Sequence, residues 1–179
     1  FGKSQNVEKF LRDQFAARKP ERQYVAIIAG HLLQATGEFR SYLATDKALN
    51  RYSTDDREIG QLAVTHYRVV ERLADTTLVA VWLETGRRNQ IRVHFAEAGH
   101  PVLGDPRYQA AAARHRNWPY ERMALHAQTL GFEHPVTGEQ LRFDSRLPAE
   151  MVQFINQSRA RARPGSPTTK PPSRKKRRK

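Results

Sequence analysis

The sequence predicts an α+β domain: an antiparallel or mixed β-sheet with helices packed on it, followed by a basic tail. Three observations carry this. Strand-like runs are short and mixed with a few helices, without the regular βαβ alternation of a parallel sheet. A chain of 179 residues, 39% hydrophobic, is long enough for one real core and too short for two ordinary ones. Ten of the 31 Lys and Arg lie in residues 159–179, which hold no acid, so the preceding body carries 21 bases against 18 acids.

Each element follows from its residues. In "SQNVEKFLRDQFAARK", Ser4 is placed to cap a helix whose apolar face is Val7, Phe10, Leu11 and Phe15. After Pro20, the β-branched and aromatic run "RQYVAIIAG" reads as a strand ending at Gly30, and "GEFRSYLA" as a second. "ALNRYSTDDREIGQ" is polar and turn-rich and reads as a loop. "AVTHYRVVERLADTTLVAVWLETG" reads as a hairpin turning around Leu73 to Thr76. In its second arm Val79, Val81 and Leu83 alternate with Ala80, Trp82 and Glu84, one face buried and the other partly so. Ile91, Phe95 and Ala98 recur at helical spacing, with Asn89 as N-cap and Gly99 at the C-terminal cap. "HPVLGDPRY" is a loop, "MALHAQTLGFEHPVTGEQLRFDS" holds two short strands about the turn "HPVTGE", and "PAEMVQFINQSR" is a closing helix. The domain is expected to span residues 1–158. The tail, 159–179, rich in Pro, Gly, Ser, Thr and basic residues with no large apolar anchor, is expected to be disordered. It reads as a polyanion-binding arm making non-specific RNA contacts by counterion release; a solvated tail and a nuclear-localisation signal in "KKRRK" are the other readings.

Composition excludes several classes. Without cysteine there is no disulfide, thiolate metal site or Cys nucleophile. No apolar run is long enough to span a bilayer, and no basic-then-apolar leader is present at the N-terminus, so a soluble cytoplasmic protein is expected. The chain opens on Phe1 rather than Met, as a fragment or processed piece would. Neither G-x-G-x-x-G nor G-x-x-x-x-G-K-[ST] occurs, which argues against a nucleotide cradle.

One feature conflicts with simple helix electrostatics. Arg87, Arg88 and Arg92 crowd a helix N-terminus, where unpaired N–H groups and the macrodipole are already positive, a mismatch of about 0.3–1 kcal/mol per exposed cation. Phosphates of a ligand, phosphates of nucleic acid or a buried protein carboxylate would each satisfy them. Arg92, at the edge of the buried face, needs such a partner most.

"ETGRRNQIRVHFAEAGHPVLGDPRY" resembles the G-R-x-x-Q-[IL]-R-x-H and G-[HP]-P-[IV]-x-G-D-x-x-Y signature of the large-ribosomal-subunit type, RluA-like pseudouridine synthases. "ERQYVAIIAG" is similar to the family's K-x-Y-x-A-[LIV]-[VI]-x-G strand, and "AVTHYRVVER" and "ALHAQTLGFEHPVTGE" continue the match in order, from Phe1 to about Phe154. The resemblance implies a partial pseudouridine synthase-like catalytic core, isomerising uridine to pseudouridine in structured rRNA or tRNA, with no cofactor and no metal. It implies an aspartate in an H-R-L-D-x-x-T-S-G motif as the catalytic carboxylate. That motif is absent; Phe1-Gly2-Lys3 resembles the end of the strand that follows it, placing the aspartate upstream, and Asp55, Asp56 and Asp105 have no matching context. By resemblance Arg92 pairs with this carboxylate, and Tyr24 is the active-site tyrosine stacking on the flipped uracil. Arg87, Arg88, Asn89, Gln90 and His94 are the expected RNA contacts. Many relatives read G-R-T-H-Q where this chain has Arg88 and Asn89, which removes one histidine; Asn89 remains able to bind phosphate or cap the helix. His94 and His100 lack a third metal ligand at suitable spacing, and these two, with His126 and His134, take structural or phosphate-contacting readings. Asp105 reads as a turn-stabilising residue. The competing readings are an RNA-binding module that keeps the fold without chemistry, and a metal-free ribonuclease using His and Arg.

Overall fold

The computed structural model describes residues 2–17 and 19–162. Ser4 accepts from the Val7 backbone N–H and opens helix α1 (Gln5–Ala16). Gly2 and Lys3 belong to no strand, contrary to the reading of Phe1-Gly2-Lys3; Lys3 and Ser4 bend directly into the helix. The apolar face of α1 is only partly covered, with Phe10 and Phe15 exposed. Its buried residue is Gln14, whose amide engages both backbone groups of one residue, donating to Glu133 O (2.8 Å) and accepting from Glu133 N (3.0 Å).

Strands β1 (Glu21–Ala29), β2 (Thr36–Thr45), β3 (Arg51–Thr54), β4 (Gln61–Arg72), β5 (Thr76–Leu83), β6 (Leu125–Glu133) and β7 (Gln140–Asp144) form one seven-stranded sheet in the order β3-β2-β4-β5-β1-β6-β7. Every pairing is antiparallel. The expected loop over 48–61 contains β3, whose Tyr52 and Ser53 lie opposite Ala44 and Leu43. Short polar edge strands carry no internal hydrophobic alternation, so only the pairing with β2 makes this one a strand.

Central β1 and β5 are buried where they run together from Val25 to Ile28 and from Thr76 to Val79, with Ala26, Ile27, Ile28, Val79 and, further along, Val81 at zero exposure. Helix α2 (Gln90–Glu97) lays Ile91 and Phe95 on this layer, where Phe95 meets Phe39 edge-on at 5.1 Å. It ends in a Schellman cap: Gly99, at φ +81°, donates to Ala96 O, and His100 N donates to Phe95 O. A single turn, α3 (Ala110–Ala113), follows, and α4 (Ala149–Ala162) adds Met151, Phe154 and Ile155 to the core. This helix runs through Ala162, past the expected tail boundary at 159, because Ser158 is buried and Arg159 is held by Glu71 at 2.6 Å. The disorder expected of the remaining tail, 163–179, falls outside the described residues. No helix among the described residues is long and apolar enough to cross a membrane.

Candidate active site

Tyr24 lies on β1 opposite Val81 of β5, half-buried, and points along the face that α2 covers. Beside it is a cavity of about 270 Å³. Leu83, Ile91, Met123 and Leu125 supply its apolar walls; Arg87, Asn89, Gln90 and Arg92 supply the polar ones. An apolar cleft with a few convergent polar groups is the usual form of a small-ligand site. Tyr24 and Arg92, more than sixty residues apart, therefore share one cavity.

The geometry answers the helix paradox. Arg92 makes a two-pronged ion pair with Asp105, Nε to Oδ2 and Nη2 to Oδ1, both at 2.7 Å. Its Nη1 donates to Asn89 Oδ1 at 3.2 Å, and its guanidinium lies 4.9 Å from the centre of the Tyr108 ring. A guanidinium has five N–H groups, so one proton on each terminal nitrogen remains for another acceptor. Asp105 is 2% exposed and also accepts from the backbone N–H groups of Arg107 (2.8 Å) and Tyr108 (3.1 Å). Burial pushes its carboxyl upward, but Arg92 and these two N–H groups outweigh that and hold it below the usual carboxylate range. The turn role expected of Asp105 is thus joined by an ion-pair role that sequence reading missed. Within this chain the partner of Arg92 is a buried protein carboxylate, one of the three alternatives.

Asn89 occupies the N-cap position without capping. At φ +59° it is left-handed, and its side chain bridges Arg92 and the Tyr108 hydroxyl. Asparagine tolerates this conformation better than most residues, which lets the chain turn sharply into α2. Arg87 donates through Nε to Leu62 O (3.0 Å), while Arg88 is exposed and donates to Leu49 O (2.8 Å).

Two expected RNA contacts face inward instead. Gln90 is 2% exposed and saturated: Nε2 donates to Val64 O and Thr65 Oγ1, and Oε1 accepts from Thr85 Oγ1 and Arg87 N. It bolts the start of α2 to β4 and borders the cavity without a free polar atom. His94 is 3% exposed, its Nδ1 against Thr65 Oγ1 (2.8 Å) and its Nε2 against Ser41 Oγ (3.0 Å). Both ring nitrogens are engaged in the core, so the RNA-contact reading of His94 is corrected to a structural one. His100 bonds Ala29 O and His134 orders the β6–β7 turn through Thr137. A grouping sequence reading did not find, Glu38, His66 and Glu84, places one ligand atom each within 4.8 Å. There His66 Nε2 meets Glu84 at 2.7 Å, while Glu38 is engaged by Arg40.

Burial lowers the His94 pKa to about 4, against an opposing pull from the Glu97 charge. In the unfolded chain this histidine binds a proton near pH 6.5. Between these values the unfolded state holds more protons, so its contribution is complete above pH 6.5 and falls away as pH drops toward 4, by about 3 kcal/mol in all. Urea titrations between pH 7 and 4 should show this slope flattened in His94→Gln; an identical slope in both proteins would contradict it.

A family model described as RNA pseudouridylate synthase matches residues 1–97. The ribosomal large subunit pseudouridine synthase D of Zymomonas mobilis is 40% identical over 149 residues, covering 79% of this chain and 46% of that protein. The uncharacterised RNA pseudouridine synthase YlyB of Bacillus subtilis is 37% identical over 157 residues, covering 88% and 50%. The chain thus spans about half the length of these curated relatives. Among solved structures, human RNA pseudouridylate synthase domain containing 4 superposes with a TM-score of 0.69 at 21% identity, over 87% of this chain and 69% of that one, a likeness of fold. With the model matching more than half of the sequence, this chain belongs to the RNA pseudouridylate synthase family.

Proposed function

We propose that the protein to which this chain belongs isomerises uridine to pseudouridine in RNA, with ribosomal RNA as the substrate. The observation that carries this reading is the shared cavity of Tyr24 and Arg92, an aromatic ring and an anchored guanidinium lining a space suited to one flipped base. In this reaction the N1–C1′ bond breaks, the uracil turns, a C5–C1′ bond forms, the C5 proton leaves and N1 takes up a proton. Atoms balance within one nucleotide, so no co-substrate is consumed. Tyr24 stacks on the base, with its hydroxyl near C5, and restricts the turn. Arg92, fixed by Asp105, offers its two remaining N–H protons to the catalytic carboxylate and keeps it ionised and oriented. The resemblance assigns that carboxylate to the H-R-L-D-type segment, which these residues do not include. Arg87, Arg88 and Asn89 contact the RNA backbone at the cavity mouth, and tRNA is the alternative substrate. The basic residues of the C-terminal tail add sequence-independent affinity. We place the protein in the cytoplasm with its RNA.

The test uses the protein bearing its H-R-L-D-type segment and large-subunit ribosomal RNA transcribed without modifications. Pseudouridine should appear at a defined position, read as carbodiimide-dependent stops in primer extension. RNA that is bound but leaves every uridine unchanged would replace this reading with that of a non-catalytic binding module.

A further inference from the structure

We propose that the groove formed by Arg22, Arg68 and Trp82 is a second nucleotide-binding site, holding a base and phosphate of the RNA strand that flanks the flipped uridine. The ligand class rests on the function proposed above; the groove itself rests on independent observations.

The groove has a volume of about 580 Å³. It occupies the end of β1 and β5 and shares Leu83 with the uridine cavity, so the two are neighbours across one strand end. Trp82 is a residue a folded domain normally covers, yet it is 41% exposed. Its ring stacks on His66, centroids 5.7 Å apart and planes 16° from parallel, which holds the indole in a fixed orientation. Gln23 and His66 flank it directly across the sheet, and Arg68 sits opposite Ala80, one pleat further along. This is an aromatic platform with a cation beside it.

The charge balance points to an anion. Arg22 packs against Gly86 so closely that a Cβ there would lie 2.4 Å from its Nη1 and would displace the guanidinium. Its Nε and Nη2 are buried and have no hydrogen-bond partner. Burying unsatisfied donors of a cation is costly, so a small turn of the Arg22 guanidinium toward an acceptor oxygen in the groove it lines would relieve that cost. The Arg68 side chain is exposed and makes no hydrogen bond or ion pair among the described residues. The acids nearby are already engaged: Glu21 by Arg142 and Gln23, and Glu84 by His66. Two uncommitted guanidinium groups beside a rigid indole match a phosphate and a stacked base, the two recognition elements of single-stranded RNA binding. Gly86 directly precedes Arg87 of the cavity, so one short turn positions both sites.

The whole chain is titrated with a single-stranded hexauridylate, following intrinsic fluorescence and repeating the titration at several salt concentrations. The other tryptophan, Trp118, is 5% exposed and packed on Phe154, so a change reports Trp82. Quenching is expected. Because Trp82 is itself the reporter, its variants are measured by filter retention of labelled hexauridylate: Trp82→Ala should weaken binding roughly five- to hundredfold, with Trp82→Phe recovering part of the loss. Arg22→Gln and Arg68→Gln should each lower the slope of log affinity against log salt by about 0.7. Circular dichroism verifies that each variant folds. Wild-type protein that does not bind, or variants with unchanged affinity and salt slope, would overturn the second site. Conversion is read separately, on ribosomal RNA with the protein bearing its H-R-L-D-type segment: if the variants there bind normally and uridine is still converted, this site alone falls, and if wild type binds through Trp82 and converts nothing, the site stands and the isomerase reading falls.

Discussion

Arg92→Ala is expected to lower the rate of uridine isomerisation by on the order of 10²–10³ or more, while RNA still binds. The guanidinium is anchored on one edge by Asp105 and Asn89, so what it presents to the cavity is a fixed charge with two free protons. A carboxylate meeting that charge is held ionised and in one orientation, an effect exerted on chemistry rather than on the distributed backbone contacts that set affinity. Arg92→Lys should recover little, because a single ammonium cannot keep both prongs on Asp105 and still reach the cavity. Single-turnover rates at saturating RNA measure the first quantity and filter binding the second. Normal chemistry with weakened binding would reverse the assignment and make Arg92 an RNA contact.

Asp105→Ala is expected to be the most destabilising single change at the site, by about 3–5 kcal/mol, because it leaves a largely buried guanidinium without its counter-charge. Arg92 is 15% exposed at its side chain and Asp105 1%, so solvent screens the pair little. The same change removes the acceptor for the Arg107 and Tyr108 N–H groups and loosens the turn that positions Tyr108 beneath Arg92. Asp105→Asn separates the two effects, since an amide oxygen still accepts from the turn but carries no charge. Urea unfolding at pH 7 should order the proteins wild type, Asn, Ala. Activity should fall in Asp105→Asn even where the protein remains folded, because Arg92 loses its orientation. An Asn variant as active and stable as wild type would show that the ion pair positions nothing.

The legibility of this protein in its sequence differs by element. The first helix follows from Ser4 and its apolar spacing, and the central strands follow from runs such as "YVAIIAG", where β-branched residues leave few alternatives. β3 was not legible, because "RYST" acquires its conformation from the hydrogen bonds of β2. The motif around α2 identified the cavity region but not the direction of its side chains. In an eight-residue helix buried on nearly all sides, periodicity does not separate a ligand-facing residue from a core-facing one, so Gln90 and His94 looked like surface contacts. The turn role of Asp105 was legible from "GDPRY", but its ion pair was not, because it lies thirteen positions beyond Arg92, past the rest of α2, its cap and a loop.

By itself, then, the sequence determined the family, the α+β class and the order of most strands and helices, since these depend on local propensity and on motifs contiguous in the chain. Only the tertiary structure decided that Arg92 is clamped by Asp105, that Gln90 and His94 belong to the core, and that Trp82 and Arg22 line a groove beside the cavity. The partners in each case come from different strands and loops, and burial is a property of the assembled fold that no residue carries alone.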